Sequence, residues 1–263
     1  MAIKTNLTNL KSRREIYKKT IRLLSGGFTD RKAFPEGKIT VFPWDSNIDS
    51  WLTDRLKKAH KNKVLWDLVE RLCDLNGCSI GKFTVGDAYT VLLVSRAIRY
   101  DNVIEYRATC PACQNEDTDR INVPDDLEKC GEKPDDYKGT DTIILPDSKD
   151  AIEIRPLLVE DELAVENRTE DQRNTINDRL AHVLLPIVSI GGPDGIPDSI
   201  TELLQWYNAL SPKDASELER LQNEINPHLN TEITHECNKC QKRYTHTLSF
   251  DQEFFRAGGP PKS

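Results

Sequence analysis

The side chains best placed to do chemistry in this chain are two short cysteine pairs, Cys110-Pro111-Ala112-Cys113 and Cys237-Asn238-Lys239-Cys240. Each pair lies between runs of alternating polarity. Val103-Ile104-Glu105-Tyr106-Arg107 leads into the first and Arg120-Ile121-Asn122-Val123 leaves it. Thr231-Glu232-Ile233-Thr234-His235 leads into the second and Tyr244-Thr245-His246-Thr247-Leu248 leaves it. A period of two predicts strands, so each pair is expected at the tip of a β-hairpin. A tight turn lets two thiolates converge from one knuckle, and a second knuckle completes a tetrahedron around zinc with Zn–S about 2.3 Å. Residues 114–236, 123 in all, separate the two knuckles, so the ion would fasten together distant parts of the chain. The competing chemistry, a redox disulfide, belongs at the start of a helix that follows a strand, not at a hairpin tip. Cys110, Cys113, Cys237 and Cys240 are therefore the candidate ligands of a structural zinc ion. His235 and His246 flank the second knuckle; they either replace a cysteine in the metal shell or lie on the strand surface. Cys73 reads as a small buried hydrophobe on an apolar helix, Cys78 follows a glycine turn, and Cys130 sits in a charged loop.

Four thiolates fill a tetrahedron and leave no position for water, which points to a structural and not a catalytic metal. His60, His182 and His228 are dispersed without metal-ligand spacing, and the acidic groups Glu160-Asp161-Glu162 and Asp125-Asp126 read as solvated faces. Gly191-Gly192-Pro193-Asp194-Gly195 lacks the lysine and the strand-to-helix setting of a phosphate loop. No catalytic residue is assigned, and the chain is expected not to be an enzyme.

The chain has 263 residues, 37% hydrophobic and 30% charged, with mean hydropathy −0.58. Such a composition predicts a soluble protein with a real core. No apolar run approaches the roughly 18 residues of a membrane span, and the first residues lack the apolar centre of a secretory signal. Seven cysteines, an odd number, fit a reducing cytoplasm. Net charge is −7, but residues 1–22 hold seven basic side chains against Glu15 alone, a balance of +6 that leaves −13 on the rest. A basic arm on an acidic body suits docking onto an acidic partner; a nucleic-acid arm and a solvated amphipathic helix are the other readings.

Periodicity places the elements that must carry the knuckles. A helix is expected over 7–24, a strand over 38–42, helical faces at 48–56 and 65–72, and a central apolar helix over 85–99 capped by Thr84. Residues 124–141 read as a loop. A hairpin is expected from 142–145 and 151–155, then helices over 159–167, 172–189 (kinked by Pro186), 198–210 capped by Asp198, and 212–225 with Ser211 as N-cap and Pro212 at the first position. The fold class is thus α+β: a mostly helical body with short β-hairpins and a discontinuous four-cysteine zinc ribbon formed by two distant knuckles. The expected organisation is a basic, partner-docking arm at 1–35, a helical core at 36–100, a split ribbon from 101–124 with 231–250, a hairpin-plus-helix subdomain at 141–230, and a tail at 251–263.

The order of these features resembles the zinc-ribbon family of baseplate hub subunits and hub-assembly proteins of contractile-tailed, T-even type bacteriophages. The resemblance spans about residues 36–256. It rests on Thr84-Val85-Gly86-Asp87-Ala88-Tyr89 running into Leu92-Leu93 and Arg96, on Tyr106 and the first knuckle, and on Ile143-Ile144-Leu145-Pro146. It continues in Ile154-Arg155-Pro156-Leu157, Asp161-Glu162, Ser211-Pro212-Lys213-Asp214, the second knuckle, Phe250 and Phe254-Phe255-Arg256. The resemblance implies a non-enzymatic baseplate part or assembly factor, made in the host cytoplasm and carried in the virion tail. Its partners would be other baseplate and tail proteins, with multiple copies in a symmetric assembly and neither nucleic acid nor membrane. Zinc would be held by Cys110, Cys113, Cys237 and Cys240. The alternative is a zinc-ribbon nucleic-acid-binding or transcription-associated protein, suggested by Lys239, Lys242, Arg243 and Tyr244 at the second knuckle but opposed by the acidic stretch 114–119 at the first.

Overall fold

The computed structural model describes residues 17–56, 61–100, 102–191, 195 and 199–248. Strand β1 (Lys19–Arg22) pairs antiparallel with β2 (Lys38–Val41), from Lys19 opposite Val41 to Arg22 opposite Lys38. This overturns the expected helix over its described part; the remainder of that prediction, up to residue 16, lies outside the described residues. The narrow stripe of Leu10, Tyr17, Ile21 and Leu24 gave a weak local preference. The pairing with β2, together with burial of Leu23 and Leu24 beside Phe34, overrides it.

Beyond β2 the chain threads between two helices. Phe42 N–H donates to Leu72 O (2.7 Å) and Asp74 N–H to Thr40 O (2.9 Å), while Ser95 Oγ donates to Phe42 O (2.7 Å). Helix α1 (Ser46–Leu56) is followed by α2 (Lys61–Leu72) and the central α3 (Val85–Tyr100). Ala88, Val91, Leu92, Leu93 and Val94 bury α3 against Leu68, Leu72, Trp44 and Phe34. Each fully buried aliphatic side chain there contributes about 1.5–3 kcal/mol, so α3 anchors the first core. Thr84 caps the helix by accepting Asp87 N–H at 3.2 Å, as its position predicts. Asp87 is itself buried and accepts Ser25 N–H at 3.1 Å. Burial pushes its carboxyl above the usual range, against the hydrogen bonds that favour the anion.

A hairpin of β3 (Val103–Thr109) and β4 (Glu116–Asn122) follows, then the short β5 (Lys129–Cys130) within the segment expected to be loop. A second core forms around a three-stranded antiparallel sheet in the order β6-β7-β8. Its strands are β6 (Asp141–Ile144), β7 (Ala151–Ile154) and β8 (Ile187–Ile190). The helices packed on it are α4 (Val159–Glu166), α5 (Glu170–Thr175), α6 (Asp178–Leu184), α7 (Ile200–Ala209) and α8 (Pro212–Ile225). The kinked helix expected over 172–189 is thus replaced by α5, α6 and a strand. Pro186 ends the helical path, and Ile187 and Ser189 turn inward against β7. Ser199, not Asp198, caps α7, accepting Glu202 N–H; Asp198 lies outside the described residues. Ser211 caps α8 as expected, and the buried Asp214 in its first turn accepts Asp147 N–H (2.8 Å) and Ser148 N–H (2.9 Å), clamping the β6–β7 turn.

The two cores meet along α4. Val159 packs in the first and Val165 in the second, and Arg155 braces the junction with a forked pair to Asp161 at 2.6 and 2.8 Å. After α8 the chain returns to the first core through β9 (His228–Leu229), which pairs with β5, and ends in the hairpin of β10 (Glu232–Glu236) and β11 (Arg243–Thr247). Gly86 makes this return possible: a Cβ there would lie 1.7 Å from Pro227 O, so only glycine lets the strand pass so close to α3. Eight α-helices and small antiparallel sheets among the described residues make the fold α+β, as expected. No helix among the described residues is long and apolar enough to cross a membrane.

Candidate metal centre

Both cysteine pairs sit at hairpin tips, and the tips share one local geometry. Cys110 N–H donates to Asn115 O (2.9 Å) and Gln114 N–H to Cys110 O (2.9 Å). At the other tip Cys237 N–H donates to Lys242 O (3.1 Å) and Gln241 N–H to Cys237 O (2.8 Å). Gln114 and Gln241 close the two turns in the same left-handed conformation, with φ of 57° and 58°.

The hairpins pack face to face because alternation sorts their side chains. Ile104, Tyr106 and Ala108 point inward from β3 while their neighbours are exposed. Facing them, Ile233 and Tyr244 pack against the same core. His246 stacks on Tyr106 at 5.2 Å between ring centroids, and His235 meets Tyr106 and Tyr244 edge-on. Ring contacts of this kind contribute about 0.5–1.5 kcal/mol each beyond area burial. The charged outer positions pair within their own hairpins, as Arg243 does with Glu236 at 2.8 Å.

This packing brings the four thiols together. Cys110 Sγ lies 3.6 Å from Cys240 Sγ, Cys113 Sγ lies 3.6 Å from Cys237 Sγ, and all four sulfurs fall within 4.8 Å of one another. A tetrahedron with metal–sulfur bonds of about 2.3 Å has sulfur–sulfur edges of about 3.8 Å. A disulfide would need about 2.05 Å, and all the cysteines are free. The donor set therefore fits a tetrahedral thiophilic ion. Cys110 and Cys237 are buried, Cys113 is half-buried and Cys240 is exposed, so the cluster is open on one side. Burial resists ionisation of Cys110, but the N–H groups of Cys113 and Ala112 and the neighbouring thiols bring it down to about 7. Asn115 N–H favours the Cys113 anion, yet burial and the three other sulfurs outweigh it and the thiol is pushed up to about 12.

A buried polar layer lies under the sulfurs. Asp117 accepts Asn238 N–H at 3.1 Å, Asn238 Nδ2 at 3.2 Å and Asn115 Nδ2 at 2.8 Å, and these bonds, the Asn238 N–H foremost, hold its carboxyl below the usual range. His235 is buried with Nε2 3.5 Å from Asp117 and Nδ1 3.5 Å from Asp119. It is neither a fifth donor of the thiol cluster nor a surface residue. His246 is held by its stack. The Tyr244 hydroxyl is buried and has no hydrogen-bond partner among the described residues. Alternation placed His235 and Tyr244 on opposite strands of one hairpin but could not say which face turns inward. Asp117 was hidden in the acidic stretch 114–119; its signal was that it shares the Tyr106 and Ala108 face.

A family profile described as "T4 bacteriophage base plate protein" matches residues 56–256, a span that contains both knuckles, the second core and most of the first. Neither the curated proteins nor the solved structures yield a match.

Proposed function

Because the chain belongs to the T4 bacteriophage base plate protein family, we propose that it is a non-enzymatic component of the hub or wedge region of a contractile-tail baseplate, or a factor for its assembly, held rigid by one structural zinc ion. Cys110, Cys113, Cys237 and Cys240 would hold the zinc. Convergence of four free thiols from two hairpin tips whose cysteine pairs lie 123 residues apart (114–236) supports this reading most directly. The magnitudes support it as well. Zinc binding contributes on the order of 10 kcal/mol in small modules, several times what the ring contacts between the hairpins supply. The ion would therefore decide whether the hairpins stay joined under load.

A baseplate part must keep its shape while touching several neighbours. The family places those neighbours among phage tail proteins. We read the assembly as symmetric with several copies of this chain, free of nucleic acid and membrane, and carried in the virion tail. The basic residues Lys4, Lys11, Arg13 and Arg14 fall in a segment outside the described residues; we assign that segment to docking on an acidic neighbour.

The test is metal analysis of the full chain purified without chelator, alongside complementation of tail assembly. One zinc per chain is expected, with Cys110→Ser losing both the metal and the ability to complete baseplates. A metal-free wild-type chain that still assembles would overturn the zinc reading.

A further inference from the structure

We propose that Asp117 is a positioning residue for the metal centre, its carboxylate fixing the second knuckle against the first so that the metal leaves slowly. The inference rests on the zinc reading above and concerns a residue that is not a ligand. Asp117 belongs to the first hairpin, four positions after Cys113, yet it grips the residue that directly follows Cys237. Asn238 gives it both the backbone N–H (3.1 Å) and the side-chain amide (3.2 Å), while Asn115 from its own knuckle gives a third donor at 2.8 Å.

The difference between the knuckles at the position after the leading cysteine supports the assignment. The first has Pro111 after its leading cysteine, and proline has no N–H to give. The second has Asn238 in the equivalent place, and its N–H goes across the interface to Asp117. A cross-link between hairpins is therefore available from one side only, and it is taken. An anionic side chain beside a cluster of thiolates is otherwise unfavourable. Three N–H donors compensate it. A carboxylate supplies enough acceptor positions for all of them, whereas an amide supplies one oxygen and turns its NH2 toward other donors. Burial at 7% exposure keeps water from substituting for these bonds.

The experiment loads the full chain with Co2+, reads the thiolate-to-cobalt absorption, and follows its decay in excess chelator. Outer-shell partners typically change metal affinity about 10–100-fold. Asp117→Asn, which keeps the side-chain shape, should give the wild-type spectrum, because the four sulfurs remain, but should release cobalt about 10–100-fold faster. Leu218→Ala in the second core lowers stability without touching the centre and should leave the release rate unchanged; this separates positioning from general weakening. Release from Asp117→Asn at the wild-type rate overturns the proposal while leaving the zinc reading intact. A wild-type chain that takes up no cobalt overturns the zinc reading, and this inference with it. If Asp117→Asn does not fold, Asn238→Ala decides: it removes one of the three donors, and a release rate equal to wild type overturns the proposal, whereas a several-fold acceleration supports it.

Discussion

Replacing Gly86 by alanine isolates the contact through which the C-terminal hairpin is delivered to the first core. The new methyl would sit 1.7 Å from Pro227 O, 2.7 Å from Pro227 C and 3.0 Å from His228 Cα. All three are backbone atoms and none can rotate away. Bringing the carbonyl oxygen out to 3.0 Å needs a shift of about 1.3 Å, in a segment already fixed by the β5–β9 pairing and by Leu157 N–H donating to Asn226 Oδ1 at 2.6 Å. Helix propensity favours the change by about 1 kcal/mol, but overpacking against rigid backbone costs about 3 kcal/mol or more, so steric exclusion wins. For a chain of this size the net loss corresponds to a fall in Tm of at least about 4–8 °C. Gly77→Ala is the internal comparison. Its φ of +86° is strained for alanine, but no described atom lies within 4 Å of the added Cβ, so a loss of only about 1 kcal/mol is expected. Thermal and urea unfolding followed by circular dichroism should therefore rank Gly86→Ala well below Gly77→Ala. If Gly86→Ala matches or exceeds the wild type, the close passage of Pro227 across α3 is wrong.

The Arg155–Asp161 fork is half-sheltered on one side and buried on the other, so Arg155→Lys, which cannot bond bidentately, should lower the urea midpoint by about 1–2 kcal/mol equivalent; no change would mean the fork contributes nothing. His182 lies 3.4 Å from Glu162, and that carboxylate, ahead of the opposing burial, raises its pKa. Its contribution is fully present below the unfolded value of about 6.5 and is lost as pH rises through the raised folded value. Urea midpoints measured from about pH 6 to pH 9 should fall more steeply for the wild type than for Glu162→Gln, and parallel curves would refute the pairing. Removing residues 1–16 should leave thermal stability unchanged but reduce incorporation into tail particles. Extending the deletion through Leu24 should unfold the chain, because it removes β1 and the core residues Leu23 and Leu24; equal incorporation of the shorter deletion would refute the docking role.

Where local signals and tertiary packing agree, the fold could be read from the chain. Thr84 and Ser211 cap the helices their spacing implies, and the β3–β4 and β10–β11 hairpins follow from strict alternation. The four cysteines named from spacing are the ones that meet. The failures lie where pairing across the chain decides. The run from Val183 to Ile190 suits a buried helix and a buried strand equally, and only its partner β7 selects the strand for Ile187–Ile190. β1 was obscured in the same way, because a helical stripe of four residues is weaker than a ladder with β2. Asp87, Asp117, Asp161 and Asp214 carry no mark that separates a buried, fully bonded carboxylate from the many solvated ones. What distinguishes them is a backbone N–H arriving from far along the chain, as from Ser25, Asn238 and Asp147, or the nearby fork of Arg155.

The pairing of β5 with β9 sets Cys130 directly opposite His228, so the chain leaves the first core and re-enters it at the same doorway. Apart from the start of α4, where Val159 packs back into the first core, what lies between is a detour that begins and ends at neighbouring points, and the route of the remaining polypeptide does not depend on how long that detour is. Enlarging, trimming or exchanging the intervening lobe would remodel one flank of the molecule while both cysteine-bearing tips still emerged side by side.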